Sequence, residues 1–258
     1  MAVEQRLNCP ISTAELERRW SAVRHAMALH NIDVLLMQNA NDFLGGYVKW
    51  FTDLPATTGY PVIVIFPRTE PMTYISLGHF GLDRRFAAEG AQQYRGIGRI
   101  MGAPGYASAR HTAGYEADAT DAAMRPFAQG TVGLVGSSHT AILLDRLRSN
   151  SLRSARIVDA SDLVDSLKAV KSDEEVGLIR ATARMQDACM KAVTEGIRPG
   201  MRDIEVGAMA EDVGRRHGSE QGIFLVASGP PGTAAIYGIR HYQNRSEEHT
   251  SELSHGYI

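Results

Sequence analysis

The chain has 258 residues, with 27 Lys plus Arg against 29 Asp plus Glu and a formal net charge of −2. That length suits about two domains, and the charge balance excludes the basic excess of a nucleic-acid binder. At 44% hydrophobic and 22% charged, the composition belongs to a globular protein with a core and not to a disordered one.

Two cysteines, Cys9 and Cys189, exclude a disulfide framework and a Cys-rich zinc module. Cys189 falls in a helical pattern and reads as a small buried apolar residue. No basic stretch followed by an apolar run opens the chain, so no secretory signal is read. The densest apolar run, Val62-Ile63-Val64-Ile65-Phe66, is far short of the roughly 20 residues of a membrane helix. The expected compartment is the cytoplasm, with neither membrane nor nucleic acid as partner.

The first predicted element is a helix. Ser12-Thr13-Ala14-Glu15 is a capping box, in which hydroxyl and carboxylate satisfy free amides at a helix start. Leu16, Trp20, Val23 and Met27 recur at helical spacing and predict one buried face. Asn31 closes the helix, and 33–37 reads as a short buried strand. Residues 62–66 and 72–77 read as two further strands, joined into a hairpin by Pro67-Arg68-Thr69-Glu70-Pro71. Next come a helix at 119–127, a strand at 131–135, a helix at 140–147 and a short strand at 157–158. This interleaving predicts an α/β domain over 1–167.

The pattern then changes. Ser172-Asp173-Glu174-Glu175 is a second capping box, with acidic residues at the positive end of the helix dipole. The long helix it opens carries Val176, Ile179, Ala183, Gln186, Cys189 and Val193 near one side and stops at Gly196. Ile197-Arg198-Pro199-Gly200 makes a tight connection to a helix over 202–217, with Ile204, Ala208 and Val213 expected inward. An apolar strand at 223–227 follows.

Lys168-Ala169-Val170-Lys171-Ser172-Asp173-Glu174-Glu175, then Ile179-Arg180, Gly196-Ile197-Arg198-Pro199-Gly200-Met201 and Glu205, strongly resemble the metallopeptidase family of Xaa-Pro aminopeptidase, prolidase and creatinase. Asn41-Asp42-Phe43-Leu44-Gly45-Gly46-Tyr47 resembles the N-terminal domain of that family, and Ser228-Gly229-Pro230 and His241-Tyr242 fit its later stations. The resemblance implies an α/β N-terminal creatinase-like domain, then the truncated start of an α+β pita-bread domain over 168–244. It also implies two divalent cations (Mn, Co or Zn) in the intact parent, held by two Asp, one His and two Glu. They would activate a water against the carbonyl before proline. A peptide or small amide substrate and a homodimeric parent are implied as well.

The sequence departs from that pattern at the metal ligands. After His241 the carboxylates are Glu247, Glu248 and Glu252, and the last aspartate is Asp212. The expected reading is a fragment without metal ligands or bound cofactor, inactive as it stands. Residues 245–258 resemble the translation of a sequencing-library adapter and are expected to be non-native. Glu248, His249, Glu252 and His255 include zinc-binding types, but no apolar pattern fixes a helix there, so they are not read as a metal site. His241 is the candidate catalytic residue. By resemblance it sits beside the metals and donates a hydrogen bond to the substrate or the developing oxyanion.

Two rival functions stay open at this stage. One is a creatinase-like amidino or acyl hydrolase without metals; the other is a non-catalytic dimerisation or binding module. The second would leave the strand at 223–227 with an unpaired edge. Other motifs are weaker. Gly96-Ile97-Gly98-Arg99-Ile100-Met101-Gly102 misses dinucleotide-loop spacing and reads as a glycine-rich surface turn. Gly133 and Gly136 read as a strand-to-helix turn, although such a helix start can receive a phosphate. His79 reads as a loop histidine. Trp50 and Asp53 lie in a Gly-, Pro- and Thr-rich segment, 47–60, of the kind that reaches a partner's active site in relatives.

Overall fold

Ser12 opens the first helix, α1 (Thr13–Leu29), by accepting the Glu15 amide on its hydroxyl. Leu16, Trp20, Val23 and Met27 form its buried face, as their spacing predicts. The computed structural model describes residues 10–39, 46–55, 60–86, 93–106, 109–220, 224–228 and 251–254. Two units divide the chain, Met1–Lys171 and Ser172–Ile258.

In the first unit the chain continues through β1 (Val34–Asn39), α2 (Gly46–Thr52), β2 (Val62–Pro67), β3 (Met72–Ser76), β4 (Asp83–Arg85) and β5 (Ile97–Gly102). Then follow α3 (Tyr115–Met124), a 3₁₀ turn (Arg125–Phe127), β6 (Thr131–Val135), α4 (Ala141–Ser149), β7 (Arg156–Asp159) and α5 (Ser161–Ala169). Seven strands form one sheet in the order β4-β5-β3-β2-β1-β6-β7. β1, β3, β5, β6 and β7 all run the same way; β2 and β4 oppose them.

β1 and β2 are buried at every position, the signature of strands covered on both faces. On one face Val34, Leu36, Ile63, Ile65, Ile75 and Val132 meet Ala117 and Met124 of α3 and Leu143 and Leu147 of α4. On the other, Phe66 meets the Phe51 ring of α2 edge-on at 4.9 Å and lies under the Arg24 guanidinium of α1.

The predicted hairpin forms, with Ile63 opposite Ile75. The glycine-rich turn expected at 96–102 is instead the turn residue Gly96 followed by β5. Gly96 has φ +70°, and a Cβ there would come within 2.5 Å of the Trp20 ring; tertiary packing, not phosphate chemistry, accounts for that glycine.

The second unit contains α6 (Asp173–Gly196), α7 (Asp203–Arg216), β8 (Leu225–Ser228) and β9 (Ser251–Ser254). The capping box at its start is complete: Ser172 Oγ accepts the Glu175 amide, and Glu175 Oε2 accepts the Ser172 amide. Cys189, Val193, Val206, Ala210 and Val226 form its core.

Two expected faces hold in part, with Val213 of α7 packed against this core as read. On α7 the buried residues include Val206, Ala210 and Gly214, whereas Ile204 is 56% exposed. Small side chains let α7 approach α6 closely, with Gly214 beside Cys189 Sγ. On α6, Cys189 and Val193 are the buried residues and Ile179 is 55% exposed. α6 has 24 residues and α7 has 14, so α7 covers only part of its length. β9 runs antiparallel to β8, the strand after α7, and pairs one of its two edges.

Candidate functional site

His241 lies outside the described residues, as do 229–250, so its surroundings form no part of the site geometry. The described chemistry gathers at the carboxyl ends of the parallel strands in the first unit. β1 and β6 are neighbours there, yet the helices that follow them, α2 and α4, pack on opposite faces. Neighbouring parallel strands whose following helices take opposite faces mark the customary ligand position in α/β sheets.

On the α2 side Tyr47 donates its hydroxyl to Asp165 Oδ2 at 2.8 Å, and Lys168 Nζ stands 4.2 Å from the ring centroid. Burial and the hydrogen bond to Asp165 raise the phenol to about 12. The ring packs on Gly136, which has φ +79° and where a Cβ would come within 2.7 Å of it. Gly136 therefore serves a turn that no side chain fits. Its amide donates to Ser161 Oγ, which in turn donates to Asp159 Oδ1. On the α4 side a ring nitrogen of His139 lies 3.1 Å from the Leu36 carbonyl. Burial lowers the pKa of this imidazole despite the carbonyls of Leu36 and Gly136 around it. The Thr140 amide donates to Gln38 Oε1 at 2.8 Å. The strand-to-helix turn read around Gly136 is thus present, and the sequence reading missed Gln38, Tyr47 and His139. Their partners lie more than a hundred positions away, which no local pattern shows.

Asp53 belongs to a different structure, a clasp. It sits at φ +54°, is 4% exposed, and its Oδ2 accepts both the Ile11 amide and Arg95 Nη2. Arg95 Nη1 also donates to the Ile11 carbonyl, so Ile11 is held at both backbone groups. Burial pushes the Asp53 carboxyl upward while Lys49 and Arg95 pull it down. Trp50 presents its carbonyl to Arg19 and its ring to the same guanidinium. Both residues knit the first unit together. His79 is exposed and turns a ring nitrogen to the Phe80 carbonyl, as a loop histidine does.

Among the described residues no three His, Cys, Asp or Glu side chains gather where they could hold a metal ion. They do not fit a two-cation cage. Among them, too, no helix is long and apolar enough to cross a membrane.

No family model matches the chain. The resemblance to the Xaa-Pro peptidase and creatinase group is nonetheless shown by both relatives and solved structures. An uncharacterized hydrolase/peptidase of Sinorhizobium fredii is 28% identical over 202 residues, 76% of this chain and 48% of its own length. The creatinase of a Bacillus species is 34% identical over 96 residues, 35% of this chain and 23% of its own. The Xaa-Pro dipeptidase structure from Bacillus anthracis matches with a TM-score of 0.62 at 20% identity, covering 93% of this chain and 61% of that one. Zinc-substituted aminopeptidase P of E. coli, in complex with product, matches at 0.64 and 14%, covering 96% and 59%. At those identities the two structures speak for the fold, which is theirs. The chain spans about half or less of the length of these curated relatives.

Proposed function

We propose that this chain carries the N-terminal α/β unit and the opening of the catalytic unit of a hydrolase of the Xaa-Pro peptidase type, cleaving the peptide bond before proline. We place the domain limits at 1–167 and 168–244. The observation that carries this reading is the match, covering more than nine-tenths of the chain, to Xaa-Pro dipeptidase and aminopeptidase P folds. The hydrolase/peptidase relative supports it over three-quarters of the sequence.

The substrate in this reading is a peptide with proline in second position, and the parent enzyme is a cytoplasmic homodimer using divalent cations. The described residues do not supply the cation cage, so no step is assigned to it here. Residue His241 is assigned, by resemblance, to donating a hydrogen bond to the oxyanion that develops at the scissile carbonyl. The 258-residue polypeptide is assigned no turnover of its own.

The test is hydrolysis of Xaa-Pro dipeptides by this polypeptide, with added Mn²⁺ or Co²⁺ and again with chelator. No turnover in either is expected. Cation-dependent, chelator-sensitive cleavage would overturn the assignment of inactivity. The product of the gene read beyond codon 244 is expected to cleave the same peptides. Replacing His241 by Ala in that product is expected to lower kcat by about 100-fold.

The creatinase match favours a second reading, an amidino hydrolase. Turnover of creatine with no cleavage of Xaa-Pro peptides by the longer product would select it.

A further inference from the structure

One buried polar atom in the first unit has no hydrogen-bond partner at a place where ligands bind in such sheets. Gln38 stands next to the last residue of β1 and is 4% exposed. Its Oε1 is fixed by the Thr140 amide, which settles which end of the carboxamide is nitrogen. Its Nε2, on the same carboxamide, is buried without an acceptor. A buried donor left this way is destabilising, so an occupant that accepts from it is stabilised.

The surroundings define that occupant's charge. Thr140 is the N-cap of α4, a nine-residue helix whose dipole places a partial positive charge at this end. Of its leading amides, Thr140 donates to Gln38 and Leu143 donates to Thr140 Oγ1. Ala141 and Ile142 come next in the first turn, and both are exposed. The junction of β1 and β6 is also the point where the strand order switches direction. The chain proceeds from β1 to β2, β3 and β5 on one side and returns to β6 and β7 on the other. Such switch points open at the carboxyl ends of the strands.

We propose that the start of α4 binds one small oxyanion, a carboxylate or phosphate group, between Nε2 of Gln38 and the amides of Ala141 and Ile142. The site needs only residues of the first unit, and it stands or falls apart from the hydrolase reading.

The test is an amide NMR titration of the whole chain with sodium acetate and, separately, with inorganic phosphate, each against sodium chloride at equal ionic strength. Expected are saturable shifts of the Ala141 and Ile142 amides, moving in step with the Gln38 side-chain NH₂ protons. The anion that saturates identifies the oxyanion. Gln38→Glu keeps an acceptor for Thr140 but removes the donor and adds a negative charge, and it is expected to weaken binding at least about tenfold. A drift no different from chloride for both anions would overturn the proposal. So would saturation at Ala141 and Ile142 while the Gln38 protons stay still, or unchanged affinity in a folded Gln38→Glu chain. If that variant fails to fold, the Gln38 protons of the unaltered chain decide alone.

Discussion

Glu15 shows how one buried carboxylate organises the start of the chain. It accepts from Arg18 Nε and Nη2 and from Arg19 Nε, and these bonds, Arg18's foremost, hold its carboxyl down to about 2. Arg18 is half exposed and Arg19 is buried, so water screens the first pair far more than the second. An acid whose folded value lies below its ordinary 4.5 stabilises the fold fully above that ordinary value. The stabilisation is lost as pH falls toward about 2. Glu15→Gln is therefore expected to cost about 1–2 kcal/mol at neutral pH in urea unfolding. The gap from the unaltered chain should close near pH 2, and a gap of equal size there would refute the assignment. Asp53 acts through the clasp on Ile11. Removing it strands the Arg95 guanidinium, so Asp53→Ala should cost about 3 kcal/mol in the same measurement. A loss within about 0.5 kcal/mol, the size of an ordinary surface substitution, would mean that the clasp is idle.

At the scale of elements, Ser172 is the clearest lever. Its hydroxyl and the Glu175 carboxylate close the start of α6 reciprocally. Ser172→Ala is expected to weaken that first turn by about 1 kcal/mol, read as faster hydrogen exchange of the amides of 173–176. Unchanged exchange there would sink the prediction. This cap, the Ser12 cap and the β2–β3 hairpin were legible in the sequence because each is decided by residues within a few positions of one another. α2, β4, β5 and α5 were not read. β4 is fully exposed and charged along its length, so it lacks the alternation that betrays a strand. Tertiary contacts override local preference at β5, where Gly98 lies against Pro71. For α7, the larger apolar residues suggested one face, whereas close approach of two helices selected the face with the smaller ones. The candidate site was legible only in outline. The turn at Gly136 announced itself, but Gln38 fell just past the strand read over 33–37, and its meaning comes from Thr140.

Across the whole molecule, the stretch between α5 and α6 is the place to look for separable behaviour. Val170 is 77% exposed and lies between helices assigned to different units. Limited proteolysis of the intact chain is expected to cut there early and leave a first fragment that keeps its circular dichroism. Initial cutting within β1, β2 or α3 would contradict the division.

The centre of the large sheet also sets a timetable for synthesis. β1 is made early and can fold onto β2 and β3, but its other side pairs with β6, and Thr131 is tied to Asp33 across 98 positions. At cellular translation rates that interval is about 5–20 s. For that time the nascent polypeptide exposes the open side of a strand that is buried along its whole length in the fold, a template for sticking to other chains. A ribosome stalled before codon 131 would thus release a sticky product, and chaperone demand should peak in that window and fall once β6 clears the exit tunnel.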